Sequence, residues 1–280
     1  MMGKKNIVWI SSYPKSGSTW FRAMLNNLES KNSEPTSINK LDITGIASSR
    51  TMFDQLSGIS SSDLSIDEIE LYRPLVYKQL SADSEENIYL KVHDAWSRNK
   101  TGSPIFPEEY TKGVIYIIRH PLDVAVSLSH HNTENVEESM SKMNDSAYGL
   151  CLGKKRLFNQ LPQKMLSWSN HVRSWVMDSG LKVHVMRYED MIDNPQETFA
   201  RSLNYLGIQF REENLNEAIQ NSDFKTLKKQ EQTDGFVEKP INASSFFRKG
   251  RKSDWVNHIK KEPADAFLLK NDEIFKKFYG

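Results

Sequence analysis

Ile7-Val8-Trp9-Ile10-Ser11-Ser12-Tyr13-Pro14-Lys15-Ser16-Gly17-Ser18-Thr19-Trp20-Phe21 is the stretch on which the reading of this chain turns. Its first four residues are a continuous apolar run, the pattern of a strand buried on both faces. Ser11 to Ser18 is rich in turn formers. Thr19 to Leu28 then places Phe21, Met24, Leu25 and Leu28 at helical spacing. The order is strand, loop, helix. Small residues at such a junction let successive backbone N–H groups point at one anion, and the helix N-terminus adds a partial positive charge. Lys15 adds a full one. The alternative is a Ser/Gly-rich turn with a solvated lysine; the strand–loop–helix context favours the anion site. The lysine precedes the glycine, so the loop lacks the Walker A order, and no other segment supplies it.

Outward from this junction the same alternation repeats. Ile88 to Val92, Gly113 to Ile118 and Val183 to Met186 read as three further strands. Helices are expected from Ile66 to about Leu80, opened by a Ser65–Glu68 capping box, and after Pro121, which suits a first helical turn. Others are expected over Leu161 to Asp178, Pro195 to Leu206 and Ala264 to Phe278. Asn32 to Ser65 reads as loops and short helices. Asn132 to Asn159 is polar and aperiodic, the pattern of a lid or mobile loop. Strands alternating with helices predict an α/β fold: one domain over residues 1–280, a central mostly parallel sheet flanked by helices, and a phosphate loop after the first strand. Ligands in such sheets bind at the carboxyl ends of strands. Those ends carry Ser11 to Ser18, His93-Asp94 and Arg119.

The 280 residues are 38% hydrophobic and 26% charged, with net charge +1. A near-neutral balance argues against a general nucleic-acid binder. The single cysteine, Cys151, can form neither an intramolecular disulfide nor a multi-cysteine zinc site. Ile7 to Ile10 is too short for a signal-peptide core or a membrane span, and no other stretch approaches about 18 apolar residues. A cytoplasmic protein with no membrane partner is the expectation.

At this point the residues match a family. Tyr13 to Trp20 resembles the 5′-phosphosulfate loop of the PAPS-dependent sulfotransferases of the cytosolic type, where PAPS is 3′-phosphoadenosine 5′-phosphosulfate. Arg119 with Asp123-Val124-Ala125-Val126-Ser127 resembles their 3′-phosphate segment. Lys91-Val92-His93 resembles the strand end bearing the catalytic histidine, and Arg187-Tyr188-Glu189-Asp190-Met191 another family segment. Phe247-Arg248-Lys249-Gly250, followed by Asp254-Trp255, resembles the C-terminal loop that closes over the nucleotide. The five segments stand in the family's order. Two departures are visible: Ser253 occupies a place where the family has glycine, and the C-terminal dimer motif of animal members is not evident, so the oligomeric state stays open.

The resemblance implies transfer of a sulfuryl group from PAPS to an acceptor hydroxyl or amine by in-line displacement, releasing PAP. Lys15 would meet negative charge building on the bridging oxygen, a donor role whose loss costs about 3–4 kcal/mol. Ser16, Gly17, Ser18 and Thr19 would cradle the 5′-phosphate, and Trp20 would stack on the adenine for about 1–3 kcal/mol; core packing is the plainer role for Trp20. His93 would be the general base, since neutral imidazole titrates near working pH; a buried structural histidine or a metal ligand competes. Lys91, on the same strand face as His93, would carry charge on the transferring group. Arg119 and Ser127 would bind the 3′-phosphate, with Ser127 also holding Lys15. Arg248, Lys249 and Gly250 would add to that site, and Tyr188, Ser222 and Phe224 would surround the adenine. His120, His130 and His131 cluster without zinc spacing, so no metal is assigned.

Two other readings differ in class: a nucleotide kinase on a related fold, which needs a Walker lysine and a Mg²⁺ carboxylate, and a silent PAPS or PAP sensor, which would dispense with Lys15 or His93. The acceptor is a small molecule. Phe53, Tyr72, Trp96 and Phe106 suggest an apolar pocket for a phenol, alcohol or lipid-like molecule, with core packing the plain alternative; a glycan also remains open.

Overall fold

The computed structural model describes residues 4–30, 34–153 and 156–280. In chain order these form β1 (Ile7–Ser12), α1 (Ser18–Glu29), β2 (Thr44–Ile46), α2 (Arg50–Ser57), α3 (Ile66–Ala82), β3 (Ile88–Val92), β4 (Thr111–Ile118), α4 (Pro121–Asn132) and α5 (Val136–Met143). There follow β5 (Gly149–Leu150), β6 (Gln163–Lys164), α6 (Trp168–Arg173), β7 (Val183–Arg187), α7 (Tyr188–Asp193), α8 (Pro195–Leu206), α9 (Glu212–Asn221), α10 (Phe224–Asp234), α11 (Lys261–Lys270) and α12 (Asp272–Tyr279).

The fold is α/β, as the alternating pattern predicts, with a central parallel sheet of order β2-β3-β1-β4-β7. β1 lies between β3 and β4, and all six of its residues are buried. Burial on both faces is why its sequence is a continuous apolar run rather than an alternating one. Its register with β3 runs from Ile7–Ile88 to Ser11–Val92, in parallel.

The chain divides into two compact units. One comprises Met1–Tyr13, Gly45–Tyr116 and Asp145–Val185; the other comprises Pro14–Thr44, Ile117–Asn144 and Met186–Gly280. The first has an aromatic core: Trp9 meets Tyr77 and Phe106 edge-on at 4.9 and 5.1 Å, and Phe106 packs on Trp175 at 4.9 Å. Phe106 and Phe53 are almost fully buried, so for these two the core reading stands. The second unit packs Ala23, Ile38, Leu41, Leu227, Phe236 and Phe247 into a cluster bordered by Trp20, Phe224 and Phe246.

Several expected elements differ. The region 132–159 is not a structureless lid among its described residues: it holds α5, opened by a capping box of Asn135 with Glu138, and β5, which pairs antiparallel with β6. Lys154 and Lys155 lie outside the described residues. The helix expected from Leu161 begins only at Trp168, because Gln163–Lys164 pair with β5 and Ser167 caps the helix. The final helix is two, since Asn271 leaves the helical region and its amide donates to the Phe267 carbonyl at 2.9 Å. A fifth strand, β2, went unread: Thr-Gly-Ile is too short for periodicity to register.

Candidate active site

The second unit carries the anion loop. α1 starts from Gly17, whose φ of 109° and ψ of 7° lie in the left-handed region that favours glycine. Close approach enforces the same choice: a Cβ on Gly17 would lie 2.7 Å from the Tyr188 ring. Lys15 is also left-handed, at φ 70°. Among the described residues no side chain caps α1, so its first backbone N–H groups are those a bound anion would use. Arg119, just past β4, donates from its guanidinium to the Lys15 carbonyl at 3.0 Å and to the Arg251 carbonyl at 3.3 Å. It also lies 4.4 Å over the Tyr188 ring. Three buried polar atoms here have no hydrogen-bond partner among the described residues: Ser16 Oγ, Trp20 Nε1 and Arg119 Nε. Such groups are costly unless something pairs with them, and an anionic nucleotide supplies acceptors for all three.

The remaining expected nucleotide residues belong to the same unit. Trp20 meets Tyr188 edge-on at 6.2 Å and Phe199 at 5.7 Å. Phe224 opens α10, and its ring faces Gly250 so closely that a Cβ there would lie 2.2 Å away. Ser127 is half-buried on α4. Ser222 is fully buried, and its hydroxyl donates to the Ala218 carbonyl at 2.7 Å, capping α9. Arg248 and Lys249 both reach Asp254, at 2.6 and 2.9 Å. Arg251 joins them, and His258 Nε2 is 3.3 Å from the same carboxylate. Burial opposes ionisation of Asp254, but the Lys249, Arg251 and Arg248 hydrogen bonds outweigh it and hold its carboxyl well below the usual range. Asp123, in the first turn of α4, accepts from the Ser253 and Trp255 N–H groups at 2.7 and 2.9 Å and so fixes the tail loop.

His93 and Lys91 stand in the first unit. Lys91 is buried in β3 opposite Ile10. His93 Nδ1 lies 2.9 Å from the Ser12 carbonyl. A carbonyl only accepts, so Nδ1 carries the hydrogen and the neutral ring keeps its lone pair on Nε2. That is the tautomer a general base needs. The backbone is held too: His171 Nε2 donates to the His93 carbonyl at 2.9 Å, and its Nδ1 accepts from the Tyr116 hydroxyl at 2.8 Å. Burial pushes the His171 pKa down to about 4, keeping it neutral. Asp94 forms a buried two-point ion pair with Arg73, at 2.6 and 3.0 Å, and Trp175 Nε1 donates to the Asp94 carbonyl at 2.8 Å.

A model of the sulfotransferase domain matches residues 5–278. The chain belongs to the sulfotransferase family. Among its relatives, the guinea pig (Cavia porcellus) 3-alpha-hydroxysteroid sulfotransferase is 28% identical over 185 residues, 62% of this chain and 59% of that one. Sulfotransferase 2A1 of Macaca fascicularis is 23% identical over 285 residues, 98% of this chain and 84% of that one. The match to the first of these thus spans little more than half the relative's length. Mouse sulfotransferase SULT7A1, solved in complex with PAP, superposes with a TM-score of 0.63 at 18% identity, covering 99% of this chain and 86% of that one. Retinol dehydratase with androsterone and PAP gives 0.61 at 18%, covering 98% and 81%. At these identities the structures establish the fold.

Within this family member, every expected nucleotide residue from Lys15 to Gly250 falls in the second unit, and Lys91 and His93 fall in the first. Sequence reasoning gave no role to His171, and none to Asp254 and Asp123 beyond their places in two motifs. His171 carries no pattern at all. Asp254 was read only as part of a motif, and its role as counter-ion to the tail cations needs the fold. Asp123, inside the motif that follows Arg119, was the legible one: an acidic residue in a first helical turn with no cap to make.

Proposed function

We propose that this chain, with residues 1–280 acting as one sulfotransferase domain, transfers a sulfuryl group from PAPS to a small-molecule hydroxyl or amine in the cytoplasm. The observation that carries the reading is the turn on Gly17, closed against Tyr188 and surrounded by the buried, unpartnered polar atoms of Ser16, Trp20 and Arg119. The family match over residues 5–278 supports it.

In this reading Ser16, Gly17, Ser18 and Thr19 hold the 5′-phosphate. Arg119, Ser127, Arg248, Lys249 and Gly250 hold the 3′-phosphate. Trp20, Tyr188 and Phe224 line the adenine, and Ser222 supports that wall through its cap on α9. His93 Nε2 takes the proton as the acceptor oxygen attacks sulfur. The bond from sulfur to the 5′-phosphate oxygen breaks, PAP leaves with that electron pair, and Lys15 stabilises the charge it acquires. Lys91 carries charge on the group in flight. No metal is assigned a step. The hydroxysteroid and retinol names of the relatives support an alcohol on an apolar skeleton as acceptor.

The test needs no knowledge of the acceptor. PAP at a hundred times its Kd should stabilise the chain by about 2.7 kcal/mol, read as a raised melting temperature, and ADP should do markedly less. Labelled PAPS offered with phenols, alcohols, amines and sugars should then mark one class. A melting temperature unmoved by saturating PAP would end the proposal.

A further inference from the structure

The ammonium of Lys15 has two close neighbours that nothing in the family motifs points to. Nζ lies 3.3 Å from His131 Nδ1, and 3.7 Å from the centroid of the Phe246 ring. His131 meets that ring edge-on, with centroids 6.0 Å apart at 79°. All three residues belong to the second unit.

The chemistry of the contact is constrained. An ammonium only donates, so Nδ1 is the accepting nitrogen in this contact. The ring face presents negative quadrupole density to the cation. Phe246 is itself fixed: its N–H donates to Glu231 Oε1 at 2.6 Å, its neighbour Phe247 donates to Oε2 at 2.9 Å, and its ring packs on Phe236 at 4.7 Å. On α4, His131 stands one turn after Ser127, so both face the same way.

We infer that His131, seated against Phe246, is the positioning residue of Lys15. A lysine stem is long and freely rotating, and freezing it is a cost otherwise met at the moment of reaction. His131 sets the direction of the ammonium beforehand, and Phe246 gives it a floor. Because Phe246 begins the segment that continues into Arg248, Lys249 and Gly250, the same contact ties the lysine to the tail loop. The inference rests on the role given to Lys15 above.

The test uses the full chain and hydrolysis of PAPS, with water as acceptor. The water oxygen bonds to sulfur, the sulfur–oxygen bond to the 5′-phosphate breaks onto PAP, and sulfate leaves as the water protons pass to solvent. His131→Ala should lower the rate at saturating PAPS by about tenfold, as expected for a lost orienting contact, with PAP affinity changed less than about twofold in calorimetry. His131→Phe, which fills the space without an acceptor, should fall with it. His131→Asn, whose amide oxygen accepts, should recover most of the rate. In a Lys15→Ala background, His131→Ala should have no further effect. If His131→Ala and His131→Phe turn over like the parent while Lys15→Ala is slow, the inference is wrong and the role of Lys15 stands. If Lys15→Ala is itself undiminished, both fall together.

Discussion

At the scale of single residues, backbone conformation explains one departure from the family. Ser253 stands where glycine is usual, and the loop adopts the glycine-like conformation there, with φ 58° and ψ 25°. A left-handed L-residue costs roughly 1–2 kcal/mol. Asp123, accepting from the Ser253 N–H, holds it in place. Ser253→Gly should therefore stabilise the chain, by about 1 kcal/mol or somewhat less once the extra freedom of glycine in the unfolded chain is counted. Urea denaturation reads this directly; a lower midpoint would show that the serine side chain matters more than its backbone. His93 teaches a related lesson. Its place at a strand end was legible, but the proton on Nδ1 follows only from the Ser12 carbonyl 2.9 Å away.

Elements were legible where local signals agreed. β3 and α8 match the reading residue for residue, α8 because Pro195 opens it and Gly207, at φ 69°, closes it. α5 was missed because only three of its eight residues are buried, too few to set up a period. The available signal was Asn135-x-x-Glu138. Asn135 Oδ1 accepts from the Glu138 N–H at 2.8 Å, and Glu138 accepts in return from the Asn135 N–H at 3.3 Å. If that cap starts α5, Asn135→Ala should cost about 1 kcal/mol and speed amide exchange over residues 136–139. Unchanged exchange there would mean that packing against α4 alone holds the helix.

For the whole molecule, one buried histidine and one half-buried one tie stability to pH. His171 in the first unit and His120 in the second both have pKa values pushed down to about 4 by burial. For His120, Asp123 opposes that shift, while Arg119 and Arg187 add to it. His120 also stacks on Trp255 at 5.7 Å with the rings 3° apart. The unfolded chain takes up these protons near pH 6.5 and the folded chain only near 4. Their contribution is therefore complete above about pH 6.5 and drains away as pH falls to about 4. The midpoint of urea unfolding should drop between pH 7 and pH 4.5, by an amount corresponding to a few kcal/mol. Replacing His171 with glutamine, which can still donate to the His93 carbonyl, should flatten part of that slope; an unchanged slope would exclude His171 as its source.

What the sequence determined alone was what short-range chemistry writes into neighbouring residues: buried runs for β1 and β4, a glycine turn after a strand, caps and stops, and five motifs in family order. Those signals are local, so one chain read in order suffices. Only the fold decided that Arg248 and Lys249 share Asp254, that His171 holds the His93 backbone, and that Lys15 points at His131. The last two join residues far apart in the chain, 78 and 116 positions. No propensity or period reaches that far, because such contacts exist only once burial has brought the elements together.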